Sequence, residues 1–143
     1  MLFRSLAVLG TLAGIDVVLA SPEGYALRED LELVAGARGS VEHVSDPREA
    51  VAGARAVYTD VWVSMGDEPA AEERRAALAG YRVDDELLDL AAPGAFAMHD
   101  LPAHPGEEIT AEVLYGPRQR IWEQAENRRH AQKALLELLV ASP

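Results

Sequence analysis

The chain has no cysteine among its 143 residues. That excludes disulfide staples, thiolate nucleophiles and cysteine-based zinc sites, and it fits a reducing compartment. Positive charge is also scarce: 13 Lys and Arg stand against 24 Asp and Glu, a net charge of −11. Without a cluster of basic residues, so acidic a chain is a poor partner for a phosphate backbone, which argues against nucleic acid. Glycine-rich phosphate loops are missing: no G-x-G-x-x-G follows a strand, and no G-x-x-x-x-G-K-[ST] occurs. No apolar run is long enough to span a bilayer. The N-terminal "MLFRSLAVLGTLAGIDVVLA" is broken by Gly10, Gly14 and Asp16. It reads as a buried helix and a core strand, not as a targeting segment.

What is present is an ordinary globular balance, 49% apolar and 26% charged, over a length that makes residues 1–143 a single domain. Helical patterns over Leu2–Ala13, Leu27–Ala37 and Pro47–Ala52 alternate with short apolar runs at Val17–Ala20, Val41–Val44 and Ala56–Thr59. That alternation predicts an α/β fold, a three-layer Rossmann-like domain whose mostly parallel sheet is flanked by helices. Asp46-Pro47 supplies a helix cap with proline at the first helical position. A charged helix is expected from about Glu68, and another over "VDDELLDLA" with Val83, Leu87, Leu88 and Leu90 on its apolar side. A strand over Ala95–His99 follows, then a short helix in "EITAEVLYG" and a last strand at Gln119–Trp122. Gln124–Val140 closes the chain as a long helix with an apolar stripe of Leu135, Leu136, Leu139 and Val140. Gly10 and Gly14, at helical spacing, suggest close packing.

Chemistry concentrates in "HDLPAHPGEE", residues 99–108. Two imidazoles and three carboxylates share a stretch stiffened by two prolines, at the carboxyl end of a strand, where open α/β sheets bind ligands. A metal site is disfavoured, because His99 and His104 are five apart on a proline-bounded loop and not on one helix face. His99 reads equally well as a satisfied core histidine. Glu107 and Glu108 read as charges complementing the start of the next helix.

Three segments, "YTDVWVSMG" (58–66), "MHDLPAH" (98–104) and "QAENRRHAQKALL" (124–136), come in an order and spacing that resemble the second, ornithine-binding domain of ornithine carbamoyltransferases. The resemblance runs through essentially the whole chain. It implies that Asp60 holds the α-ammonium of ornithine, and that Ser64 and Met65 contact the amino-acid end from a closing loop hinged at Gly66. Such an element favours an α-amino acid over putrescine, which has no carboxylate. The resemblance further implies that His99, Asp100 and Leu101 line the place where the amine meets the carbamoyl group, and that Arg128 reaches carbamoyl phosphate. A planar guanidinium suits that dianion.

Two departures matter. Asp100 stands where the family has cysteine, and a carboxylate there stabilises the protonated amine, whereas the nucleophile must be neutral. The family's Ser-Thr-Arg-Thr-Arg phosphate cradle and His-Pro-x-Gln segment do not occur in this sequence. The expectation is therefore a cytoplasmic, cofactor-free, amino-acid-binding half of a carbamoyltransferase. It would bind L-ornithine or a similar basic amino acid, and meet carbamoyl phosphate only with a complementing domain. The competing expectation is a non-catalytic relative that binds an amino acid or another protein. Self-association through an exposed inter-domain face is the remaining candidate partnership.

Overall fold

A computed structural model describes residues 2–26, 34, 36–63 and 68–141. Most of the helix expected at Leu27–Ala37 (residues 27–33 and 35) and the loop residues Ser64 and Met65 lie outside the described residues. Helix α1 spans Leu2–Leu12, and strand β1 runs from Val17 to Ala20. Strand β2 is Val41–Val44, helix α2 is Pro47–Val51 and strand β3 is Ala56–Thr59. Then come α3 (Ala71–Leu78), α4 (Asp85–Asp89), β4 (Phe96–His99), α5 (Ala111–Tyr115) and α6 (Ile121–Ala141).

Every strand pairing is parallel, as the alternating pattern predicts, and helices flank the strands. Among the described residues the ladders form two pairs, β1 with β2 and β3 with β4. The expected last strand shrinks to one bridge, Ala97 with Gln119, and helix α6 begins two residues later. Val83 belongs to no helix. It bridges Ile109 in parallel, and α4 starts only after Asp84, whose carboxylate accepts from Leu87 N at 2.8 Å. Leu90 is 45% exposed and makes no core contribution.

Local chemistry explains most boundaries. Asp46 caps α2 by accepting from Arg48 N at 2.8 Å, and Thr110 caps α5. Gly14 ends the first helical segment in the left-handed region, with φ 89°, where a side chain would be strained. Gly39 is required for a different reason: a Cβ there would lie 2.1 Å from the Ile15 carbonyl oxygen. The core gathers Val51, Val57, Val83, Leu88, Ala97, Ile109, Val113, Leu114 and Ile121. It therefore sits under β3–β4, α4 and α5 and under the first turn of α6.

Candidate functional site

The register of β3 against β4 builds the site. Thr59 lies opposite His99, so the next residue of each strand, Asp60 and Asp100, emerges side by side at the carboxyl edge. The two carboxyl groups are near enough for the charge of one to act on the other. Asp60 also accepts from Val61 N at 2.7 Å. Burial and then the Asp60 charge push the Asp100 carboxyl above the usual aspartate range. Tyr58, two residues before Asp60 and so on the same side of the strand, accepts a hydrogen bond from Gln124 Nε2 of α6. Burial, reinforced by Asp100 and Asp60, raises its phenol. Gln124 Oε1 is shut from solvent with no partner among the described residues.

Beneath this cluster the corner after β4 is held by a dry polar network. His99 is 1% exposed and Glu108 is 0% exposed. His99 Nδ1 accepts from Leu101 N at 2.8 Å, which leaves its Nε2 hydrogen for Glu108 Oε1 at 3.2 Å. The same oxygen accepts from His104 N at 2.5 Å, and Glu108 Oε2 has no partner among the described residues. Burial raises the Glu108 carboxyl, but the hydrogen bonds from His99 and His104 outweigh it and hold the group below the usual range. Leu101 takes φ 61°, an unusual conformation for a branched residue, and its side chain packs on the core. That conformation is fixed from both sides, by the imidazole on its N–H and by the core on its side chain.

Two sequence readings are corrected here. Glu108, read as a charge complementing the start of the next helix, precedes α5 by three residues and is instead buried against His99. His99 does not line the crevice. Both ring nitrogens are committed inside the protein, and its role is to hold the Leu101 corner. Nothing in the sequence signals that the carboxylate partner of His99 stands nine residues on. Asp60, Asp100 and Leu101 are brought together. Arg128 lies one turn beyond Gln124 on α6, in an open groove of about 430 Å³ lined also by Arg129, Lys133 and Leu136. Arg129 pairs with Glu126 and Lys133 with Glu137 at 3.7 Å, and no ion pair engages Arg128 among the described residues. His104 approaches Glu108 at 3.8 Å and His130 approaches Glu126 at 3.4 Å. No group of three metal-ligating side chains is placed to hold a metal ion, and no helix is long and apolar enough to cross a membrane, both among the described residues. A second open cleft, about 400 Å³ and lined by Glu23, His43, Val44, Ser45 and Glu49, lies at the carboxyl end of β2.

Known proteins share this arrangement of elements. The ornithine carbamoyltransferase of Methanoculleus marisnigri is 53% identical over 131 residues, which is 91% of this chain and 42% of that protein. The solved ornithine carbamoyltransferase from Pyrococcus furiosus superimposes with a TM-score of 0.85 at 47% identity, over 94% of this chain and 45% of its own. An acetylornithine transcarbamylase complexed with acetylcitrulline reaches a TM-score of 0.79 at 28% identity, covering 95% and 43%. The chain thus spans under half the length of the curated relatives it matches. Residues 1–139 match the family model for the Asp/Orn-binding domain of aspartate/ornithine carbamoyltransferases, and the chain belongs to that family.

Proposed function

We propose that this chain is the amino-acid-binding half of an ornithine carbamoyltransferase, which moves a carbamoyl group from carbamoyl phosphate to L-ornithine to give citrulline and phosphate. The observation that carries this reading is the register that sets Asp60 beside the Asp100–Leu101 corner at the carboxyl edge of β3–β4. Asp60 is the acceptor for the α-ammonium. Leu101, in its fixed corner, offers a carbonyl to the reacting end, and His99 positions that corner. Ser64 and Met65 contact the amino-acid end. Arg128, unpaired among the described residues, is the guanidinium for the phosphate, a bidentate partner for a dianion.

The carbamoyl-phosphate cradle is not among these 143 residues, so a complementing domain supplies it. The exposed side of α6 is its seat: Leu135, Leu136, Leu138 and Leu139 are all more than half exposed on the helix that carries Arg128. The reading places the protein in the cytoplasm, with no cofactor. Calorimetric titration with L-ornithine tests it. Saturable binding at millimolar concentration or below, abolished in Asp60→Ala, is expected; no binding overturns it. When a carbamoyl-phosphate domain is supplied in trans, Asp100→Cys raises citrulline formation at neutral pH, because the amine loses the carboxylate that stabilises its protonated form. An unchanged rate contradicts the role given to Asp100.

A further inference from the structure

Helix α6 grips the body of the domain by its first turn. Ile121 is buried in the core, Gln119 Oε1 accepts from Ile121 N at 2.7 Å, and Trp122 stacks on Tyr115 of α5 with ring centroids 6.2 Å apart. Gln124 is the last residue of the helix that is not exposed. Its amide donates to the Tyr58 hydroxyl of β3, and its Oε1 has no partner among the described residues, so that one hydrogen bond fixes the amide. Tyr58 stands two residues before Asp60 on the same side of the strand, and its phenol is raised by burial and then by the Asp100 charge. One side-chain contact thus joins the strand that presents Asp60 to the helix that carries Arg128. At about 1.5 Å of rise per residue, Arg128 lies about 10 Å along the axis from Ile121 and about 6 Å from Gln124. A helix pinned near Ile121 alone is free to swing there. A second pin one turn on, reaching a different element, fixes its direction.

We propose that Gln124, held by the Tyr58 hydroxyl, is the positioning residue that aims Arg128 at the crevice beside Asp60. The inference rests on the amino-acid-site reading for the use of Arg128 and deepens it, because the group for the ammonium and the group for the phosphate are then set by one shared contact. Neither Tyr58 nor Gln124 touches the reacting atoms. A misplacement of about 1 Å in a group that orients a reactant costs about a hundredfold in rate, so a helix that swings leaves an intact Arg128 ineffective.

The chain has no cysteine, so two spin labels enter it without background. Attached through Gln132→Cys, one turn beyond Arg128, and Glu86→Cys on α4, both exposed, they read the direction of the helix in the full chain. The distance distribution between the labels is expected to be about twofold broader in Tyr58→Phe and in Gln124→Ala than in wild type. The double variant is no broader than either single one, because both changes remove the same contact. Gln124→Glu, whose carboxylate accepts from the Tyr58 hydroxyl, restores the narrow distribution, as lost packing alone would not require. Equal widths in all variants, or broadening that Gln124→Glu fails to reverse, overturn the proposal. Calorimetry with L-ornithine is read separately: if wild type does not bind it, the amino-acid reading falls, while the widths still decide the Tyr58–Gln124 link.

Discussion

The corner at residues 96–114 and the helix that follows it obey opposite rules. In the corner, Ala97, Ile109, Val113 and Leu114 are at most 2% exposed, and a histidine and a glutamate are sealed among them. In α6 the first residue, Ile121, is fully buried, and every residue from Ala125 to Ala141 is exposed. The helix is held by local chemistry, with good helix formers and the i→i+3 and i→i+4 pairs Glu126–Arg129, Glu126–His130 and Lys133–Glu137. The corner has few regular hydrogen bonds of its own and is held by contacts remote in sequence, such as Val83 N to Glu108 O at 2.9 Å. The first kind of structure holds Leu101 in one pose, and the second leaves an apolar stripe facing outward.

Breaking the corner gives the largest effect. In Glu108→Ala the hydrogens of His99 Nε2 and His104 N lose their acceptor, at a cost of about 1–3 kcal/mol for each donor left unsatisfied. Urea unfolding measures it, and a loss under about 1 kcal/mol would show the network to be dispensable. Glu108→Gln keeps an acceptor oxygen and recovers much of the loss. Because the folded Glu108 carboxyl lies below its unfolded value, its contribution is present above the ordinary glutamate range and fades as pH falls through the folded value. Wild type and Glu108→Gln should therefore converge in acid.

The anchor between the two regions comes next. Ile121 is 0% exposed and is the buried residue of α6. Ile121→Ala removes three buried carbons and leaves a cavity under β4, at about 2–5 kcal/mol. Amide exchange should then speed up along α6 before it does so at β4. Asp100→Asn runs the other way and is smaller. The folded Asp100 carboxyl lies above its unfolded value, so its proton favours the fold below the ordinary aspartate range and that advantage is lost as pH rises through the folded value. Asparagine lacks this loss, so the variant melts higher than wild type at neutral pH and the gap narrows in acid. Equal melting temperatures across pH would show that burial beside Asp60 costs the ionised Asp100 carboxyl nothing.

How far the sequence reveals each region follows from the same contrast. Asp46-Pro47 marks the start of α2, and the β-branched runs at Val17–Ala20 and Ala56–Thr59 mark strands, because caps and periodicity are local signals. Asp60 and Asp100 are legible as strand-end carboxylates, and their adjacency follows from parallel pairing. Glu108 is illegible. Its burial depends on an imidazole nine residues away, and a charge beside a helix start is usually solvated. Gln119–Trp122 misleads because Ile121 is apolar for a helix anchor and not for a strand. The stripe on α6 is visible in sequence, but whether it meets this domain's own core is a tertiary fact.

The smallest expected effect is the most informative about α6. Leu135, Leu138 and Leu139 are 56%, 69% and 69% exposed. Replacing all three with glutamine exchanges one good helix former for another and removes no buried contact, so stability of the chain alone should change by no more than about 0.5 kcal/mol. If these side chains instead seat a carbamoyl-phosphate domain, the triple variant should bind L-ornithine as wild type does yet fail to gain transferase activity when that domain is added. A large loss of stability in the triple variant, read from urea midpoints at several protein concentrations, would show that the stripe is already covered in solution by a second copy of the chain. Equal activity on complementation would show that the second domain seats elsewhere.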